Sequence, residues 1–502
     1  MQSISQGMTQ SVTQNLMSFS ELSLALGARL FAGEGKQNHG SFFTSVSIDS
    51  RTVKEGGLFV ALRGNVHDGH RFVEAAFKAG ALGAVVDFLA LSDPALSLQS
   101  LAQKWNRVLV AVEDTLKALQ EAAKVYLKKF SKLLKIGITG SSGKTTTKEI
   151  AAAMIAGEKR VVMNKGNMNS ETGLPLSVFD VRPDHEVGIF EAGMNRPGEI
   201  GELAEVLDPD IALITNIGSA HIGILGSRLA IAEEKKKIFS QFRGNNTALI
   251  PEDDDYRDFL AKDLKGRVVF FGPSSLSSIE SESESVKDLG LEGTEIVWEG
   301  EAVRFGLPGK FNLLNAVAAA AIAKEVPVSS SSIRAGLGSV KPIFGRGEIL
   351  RGRVTLLRDC YNANPESMEA ALDFCDSLDW PGRRVYILGS LLELGDDSEK
   401  AHEALGRRLC DCRGDMIFLF GEEAAPAKEA YDLSYDKKSS AGRPAGEAPF
   451  FYTRDKKELS AAINNYLNDN NFREGDLVLL KGSRGCELED LTGMILGGNS
   501  VP

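Results

Sequence analysis

Lys135-Ile-Gly-Ile-Thr-Gly140-Ser-Ser-Gly143-Lys144-Thr145-Thr146-Thr147 is the stretch from which the fold of this chain is read. The apolar run Leu133 to Ile138 predicts a buried strand. A glycine-flanked turn follows, and Lys144 to Ala156 predicts a helix closed by Gly157. Strand, glycine loop and helix together make a phosphate cradle, because backbone N–H groups and the positive helix end face the anion. Gly140, Ser141, Ser142, Gly143 and Thr146 form the loop and its first helical turn. Lys144 supplies a mobile positive charge for β- and γ-phosphates, and the Thr145 hydroxyl can ligate Mg²⁺. The pattern is a shortened one: Ile138 stands where the first glycine of the full Walker pattern falls.

Outward from this loop, composition sets the frame. The chain of 502 residues is long for one core, and about three domains is the natural expectation. A net charge of −11 argues against a nucleic-acid surface. Five cysteines, with no Cys-x-x-Cys pair, argue against a disulfide framework or a zinc site and fit a reducing cytoplasm. Residues 1–17 are expected to be a disordered tail, polar and rich in Gln and Ser, without the pattern of a signal peptide. No apolar run reaches the roughly 20 residues of a membrane span, so no membrane insertion is expected.

Before the loop, residues 18–130 mix strands and helices. Val46-Ser-Ile-Asp49-Ser50-Arg51 and Asp68-Gly69-His70 put polar groups at strand ends, and Phe72 to Ala79 predicts a helix. Asp49, Ser50, Arg51 and His70 are candidates for a phosphorylated ligand, with surface turn chemistry as the alternative, and Asp68 beside His70 is counted on the substrate side with them.

After it, residues 131–345 alternate strand and helix. Val187 to Phe190 ends at Glu191, and Ile211 to Thr215 is followed by His221. Open α/β sheets bind ligands beyond strand carboxyl ends, so Glu191 and His221 are candidate Mg²⁺ ligands. Arg228 to Phe242 predicts one helix whose apolar stripe, Ile231, Ile238, Phe239 and Phe242, contains Lys235. A lysine on a buried face must be paired, modified or snorkelling. If modified, its neutral amine captures CO₂ and becomes a carboxylate-like metal ligand. Asn312 is an expected helix N-cap, and Asn315, one turn on, is placed to reach a nucleotide base. Ser274 to Ser285 is expected to be a disordered loop, Ser329 to Ser332 a short polar loop, and Gly345-Arg346-Gly347 a hinge.

Residues 346–502 alternate again, as a second nucleotide-fold-like sheet without a dinucleotide fingerprint. Asp359-Cys-Tyr361-Asn362-Ala-Asn364-Pro365 follows one strand, and Lys481-Gly-Ser-Arg484 a later one. Glu422 to Pro449 is expected to be a mobile insertion.

These motifs resemble the Mur ligase family over nearly the whole chain. The likeness rests on Asp49-Ser-Arg51, Asp68-Gly-His70, the Gly140 to Thr146 loop and Gly166-Asn167-x-Asn169. It extends to Glu191-Ala-Gly193, Thr215-Asn-Ile-Gly218-x-Ala-His221, Tyr361-Asn-Ala-Asn-Pro365, Leu392-Glu393-Leu-Gly395 and Lys481-Gly-Ser-Arg484. The resemblance implies an α/β fold of three domains, a central P-loop-type ATPase sheet and a C-terminal Rossmann-like domain. It implies an ATP- and Mg²⁺-dependent, cytoplasmic, monomeric ligase of peptidoglycan precursor synthesis. The Tyr361 to Pro365 segment is that of members that add D-alanyl-D-alanine to UDP-N-acetylmuramoyl-tripeptide. The alternatives are a sister ligase adding one amino acid, or a nucleotide-binding switch without chemistry. By the same resemblance Lys144, Lys235 and His221 are catalytic, and Lys235 is the carbamylated lysine among the metal ligands. Asn315 and Arg346 contact the nucleotide, and Asn167, Asn169, Asp359, Asn362, Asn364 and Lys481 lie on the substrate side. Ser170, Pro251, Phe311 and Ser390 depart from the family pattern.

Overall fold

A computed structural model of the protein describes residues 15–32, 40–64, 66–272, 286–440, 450–468 and 475–497. The expected loop at Ser274 to Ser285 and residues 1–14 of the expected tail lie outside the described residues. Leu16 and Met17 do not belong to a tail. Met17 pairs with Phe43 in a short antiparallel ladder, and both Leu16 and Met17 are buried. Their apolar side chains outweigh the polar run before them.

By internal packing the chain divides into two compact units. One holds the chain through Leu133 together with Val162–Gly188 and Glu202–Asp208. Its five-stranded sheet runs in the order Arg29–Ala32, Val108–Val112, Gly83–Asp87, Leu58–Val60, Val46–Ser47. Only the first pairing is antiparallel. Every residue of the two strands Gly83–Asp87 and Val108–Val112 is buried, which is why both read as apolar runs, the first of them up to Asp87. Phe59, Phe77, Val86 and Leu109 share one core. Asp114 caps the helix Thr115–Leu127 by accepting from Leu116 N and Lys117 N.

The second unit carries the glycine loop. Parallel strands run in the order Gly266–Phe271, Asn246–Pro251, Ile211–Ile214, Leu134–Thr139. Ile138 is fully buried opposite Leu213, so the missing Walker glycine is a core strand position here. The helix Lys144–Ile155 follows the loop, and Lys310–Lys324 and Ser330–Ser339 pack on it. Buried alanines (Ala316, Ala319, Ala320, Ala323) are small enough to keep such helices close.

Two helix starts differ from expectation. Lys310–Lys324 is capped by Gly309, and Asn312 sits inside its first turn, buried, with Nδ2 donating to Pro308 O at 2.8 Å. Ser329 is no loop residue: its side chain accepts from Ser332 N and caps Ser330–Ser339, a role suited to a serine hydroxyl. The expected single helix from Arg228 is α-helical through Lys236 and tightens to a 3₁₀ turn at Lys237–Phe239.

A six-stranded sheet completes this unit, in the order Glu348–Arg351, Thr355–Asp359, Leu477–Lys481, Arg384–Gly389, Met416–Phe420, Phe450–Thr453. All pairings but the first are parallel. Alternate residues enter opposite cores: Leu357, Tyr386, Ile417 and Leu479 on one face, Leu356, Ile387, Phe418 and Leu480 on the other. The expected mobile insertion is instead helical over Ala425–Ser440, with Ala427 and Tyr431 buried in the first of these cores. Its remainder, 441–449, lies outside the described residues. The fold is α/β, with a central parallel sheet that carries the glycine loop and a C-terminal Rossmann-like sheet. Among the described residues no helix is long and apolar enough to cross a membrane.

Candidate active site

The glycine loop hangs on the segment that follows strand Ile211–Ile214. Ser141 N donates to Asn216 O at 3.0 Å, Ser142 N to Asn216 Oδ1 at 3.0 Å, and Thr215 Oγ1 to Ser142 O at 2.6 Å. Gly143 caps the helix at φ +81°, a left-handed conformation that only glycine takes without cost. A Cβ at Gly143 would also overlap Asn315 Oδ1, so Asn315 lies directly on the loop.

Two lysines meet at this loop. Lys144 Nζ donates to Gly140 O at 2.7 Å, and Lys235 Nζ donates to the same oxygen at 3.0 Å. Lys235 is 1 % exposed, so the anomaly in the helical stripe is a buried amine and not a snorkelling stem. Burial first, and then the Lys144 charge, push the Lys235 amine well below the ordinary lysine range. Lys144 is partly open, yet desolvation in this crowd lowers it too; Glu191 opposes that shift and the Arg346 cation adds to it. Glu234 anchors the start of this arrangement by accepting from Gly198 N at 2.9 Å and Ile200 N at 3.0 Å.

Thr145 Oγ1 donates to Glu191 Oε2 at 2.7 Å, and Glu191 is 1 % exposed. A hydroxyl and a carboxylate side by side at a phosphate loop are oxygen donors of the kind Mg²⁺ takes. That ion is held by one or two carboxylates plus substrate phosphates and not by an all-protein cage. Among the described residues no cluster of three or more His, Cys, Asp or Glu occurs.

His221 follows the Asn216–Gly218 segment that holds the loop, and it meets Glu393. Its Nδ1 is 2.8 Å from Glu393 Oε2, a close polar contact whose angle is not that of a hydrogen bond. The His221 contact holds the Glu393 carboxyl below the usual carboxylate range, against the opposing effect of burial. Glu366 accepts from Ser219 N at 2.8 Å and Ser219 Oγ at 2.9 Å, and Asn364 Nδ2 donates to Ser142 Oγ at 3.0 Å. Glu366 and Glu393 had no individual role on sequence grounds. Their partners lie far along the chain, and no periodicity marks them.

The hinge at Gly345–Gly347 is closed by polar contacts. Tyr361 N donates to Gly345 O at 2.9 Å, Gly347 N to Asp359 Oδ1 at 3.1 Å, and the Arg346 guanidinium lies 4.0 Å over the Tyr361 ring. Lys481, 1 % exposed, pairs with Asp359 Oδ2 at 2.6 Å. Asn362 is exposed beside them. The departure Phe311 stacks edge-on against Phe374, and the departure Ser390 is buried with Oγ 3.4 Å from Phe420 O.

In the other unit the substrate candidates divide into two groups. A cavity of about 250 Å³ is lined by Ser47, Asp49, Thr52, Lys165, Ser177 and Asp180 among others. Met168 also lines it, flanked in sequence by Asn167 and Asn169. Ser50 and Arg51 follow the lining residue Asp49, whose carboxyl is held at about 2 by the Arg51 side chain. Lys165 carries no sequence signal of its own; it immediately precedes the Gly166-Asn167-x-Asn169 motif. Asp68 and His70 form a separate network. His70 is buried, with Nδ1 2.6 Å from Asp68 Oδ1 and Nε2 accepting from Asp87 N at 3.1 Å, while Arg63 pairs with Asp68 and Asp87. Both ring nitrogens of His70 are thus occupied inside their own domain.

The five cysteines are free, and burial pushes the Cys360 thiol up to about 12 and those of Cys412 and Cys486 to about 11. They are not poised as nucleophiles.

Comparison with known proteins agrees with this geometry. Residues 42–127 match the Mur ligase family catalytic domain, 138–323 the Mur ligase middle domain, and 345–484 the Mur ligase glutamate ligase domain. The UDP-N-acetylmuramoyl-tripeptide–D-alanyl-D-alanine ligase of Treponema pallidum is 43 % identical over 95 % of this chain and 98 % of its own. The ligase of the same name from Bacillus subtilis is 33 % identical over 89 % and 92 %. Among solved structures, MurF from Acinetobacter baumannii superposes with a TM-score of 0.82 at 26 % identity, covering 97 % of this chain and 100 % of that one. MurF from Thermotoga maritima in complex with ADP gives 0.71 at 27 % identity, over 90 % and 97 %.

Proposed function

The chain belongs to the Mur ligase family, and from that premise we propose that it uses ATP to join D-alanyl-D-alanine to UDP-N-acetylmuramoyl-tripeptide in the cytoplasm. One observation carries the reading. Two lysine amines converge on Gly140 beside a Thr145–Glu191 pair, and the same loop is joined through Ser142 to Asn364 of the Tyr361 to Pro365 segment.

The chemistry must bring two anions together. The tripeptide carboxylate attacks the γ-phosphorus of ATP, ADP leaves, and an acyl phosphate remains. The dipeptide amine then adds to the acyl carbon, and inorganic phosphate departs from the tetrahedral intermediate with loss of the amine proton. Little covalent work falls to the protein; positioning and charge stabilisation dominate. The loop amides and Lys144 hold the phosphates, and Asn315 and Arg346 face the nucleotide. Thr145, Glu191, His221 and a carbamylated Lys235 are the residues that would hold Mg²⁺. When bound, Mg²⁺ supplies Lewis-acid neutralisation of the phosphoryl oxygens. A low-pKa amine suits Lys235 to this role, since only a neutral amine adds CO₂, releasing one proton as the carbamate forms.

Residues 18–130 would bind the UDP-sugar peptide, with the cavity beside Asp49 and Lys165 as its seat and His70 as an internal support. Asp359, Asn362, Asn364 and Lys481 would serve the dipeptide side.

Phosphate release measured with UDP-tripeptide and D-alanyl-D-alanine, each omitted in turn, tests the reading. Release that requires both is expected. Release independent of both, or stronger with a single amino acid on the shorter precursor, overturns it.

A further inference from the structure

The turn that opens the C-terminal sheet is fixed on both sides of one arginine. Tyr361 N donates to Gly345 O at 2.9 Å, and Gly347 N donates to Asp359 Oδ1 at 3.1 Å. Gly345 (φ +66°) and Gly347 (φ +70°) both take the left-handed conformation, so the chain bends sharply before and after Arg346. A Cβ at Gly345 would stand 3.1 Å from Tyr361 N, which puts the turn directly against that residue. The ring then holds the side chain as well: the Arg346 guanidinium lies 4.0 Å from the Tyr361 centroid, over the ring. The Tyr361 hydroxyl has no hydrogen-bond partner among the described residues, so the ring face is the part in use.

Half-buried Arg346 has no carboxylate partner among the described residues. Arg484 differs: its guanidinium lies 5.8 Å from the same ring and pairs with Glu489. Contacts place Arg346 beside the glycine loop. Asn315 lies against Gly143, its Nδ2 is 3.4 Å from Asn312 Oδ1, and a Cβ at Gly347 would be 3.4 Å from Asn312 Nδ2. The guanidinium is also near enough for its charge to oppose that of Lys144. Two cations facing one loop suit a polyanion between them. A guanidinium grips phosphate oxygens as a planar fork, so its orientation matters as much as its charge. An aromatic face sets that plane while leaving every N–H donor free.

We propose that Tyr361 is a positioning residue for nucleotide binding: its ring face sets the plane of the Arg346 guanidinium, which then grips the ATP polyphosphate together with Lys144. This deepens the proposed function and rests on the glycine loop being the nucleotide site. It gives the Tyr361 to Pro365 segment a part in holding ATP as well as dipeptide.

Calorimetric titration of the full chain with Mg²⁺ and a non-hydrolysable ATP analogue tests it, with AMP as the comparison and no peptide substrate present. Tyr361→Leu is expected to weaken the analogue about tenfold, as loss of a desolvated cation–π contact does, and to leave AMP within about twofold. Tyr361→Phe keeps the ring face and is expected to hold the analogue near the parent level. In an Arg346→Met background Tyr361→Leu is expected to add almost nothing, because the ring then has no guanidinium to orient. Parent affinity in Tyr361→Leu, equal losses for analogue and AMP, equal losses in the Phe and Leu variants, or losses that add in the Arg346→Met background each overturn the proposal. Should the leucine variant not fold, Arg346→Lys carries the test. It keeps the charge and loses the planar fork, so weakened analogue binding is expected and parent affinity overturns the proposal. A parent that binds neither nucleotide overturns the loop reading itself. These titrations need no turnover, so failure of the ligase reading is seen separately.

Discussion

Lys144 and Lys235 share one acceptor: the carbonyl oxygen of Gly140 receives both lysine Nζ groups, at 2.7 and 3.0 Å. One neutral dipole cannot compensate two charges, and Lys235 is fully enclosed. The arrangement favours a neutral amine at Lys235, the form that reacts with CO₂. Lys235→Ala is expected to lose ligation, and a short carboxylic acid added to the assay is expected to restore part of it. Absence of rescue, with an unmodified lysine in intact-protein mass, counts against the carbamate.

The same depressed Lys235 pKa has a stability consequence. In unmodified protein the folded chain releases a proton that the unfolded chain retains until its ordinary value of 10.5. Stability therefore rises as pH climbs toward 10.5 and falls as pH drops through the folded value. Lys235→Met is expected to be more stable than the parent at neutral pH, with the advantage shrinking at alkaline pH, as read from urea midpoints.

Thr145→Val removes the hydroxyl that satisfies Glu191 Oε2 inside the sheet. Leaving a buried carboxylate oxygen short of a donor costs about 1–3 kcal/mol. Activity is expected to fall further than stability, by about a hundredfold or more in kcat, because a group facing the developing phosphoryl charge is lost. Steady-state kinetics beside thermal melts separate the two effects.

Asp359 joins the hinge to the sheet, accepting from Gly347 N and from buried Lys481. Asp359→Asn leaves the Lys481 ammonium without a counter-charge, and breaking such a pair costs about 3 kcal/mol or more. The double variant Asp359→Asn, Lys481→Met is expected to recover much of that loss. A double-mutant cycle in denaturant reads the coupling directly.

His402 is buried, with Nε2 accepting from Leu391 N at 3.0 Å and Nδ1 2.8 Å from Ser398 O. Burial lowers its pKa below 6.5. The folded state thus binds this proton less readily than the unfolded one, and stability is lost as pH falls from about 6.5 through the folded value. His402→Gln is expected to flatten that acid slope in melts between neutral and acidic pH.

Local patterns carried much of the site. A buried strand running into glycine, lysine and threonine announced the phosphate loop, because each residue type acts on its neighbours within one turn. Lys235 was visible because a helix repeats every 3.6 residues, and a charge on the apolar stripe breaks that repeat. The place of His70 at a strand end suits a ligand contact, but its ring turns inward because Asp68 and the Asp87 amide both reach it. The serines at 329–332 were read as loop by composition, although one hydroxyl was enough to start a helix.

The amino-acid order by itself determined the α/β class, the glycine loop and the buried lysine, since these rest on contacts among residues close in the chain. Which carboxylate answers which cation or amide was decided only by tertiary structure. Ser219 and Glu366 are 147 residues apart, Asp359 and Lys481 are 122 apart, and Ser142 and Asn364 are 222 apart. No local propensity encodes such partners. They are brought together by burial of apolar sheet faces, and their polar groups then pair because leaving them unpaired costs more.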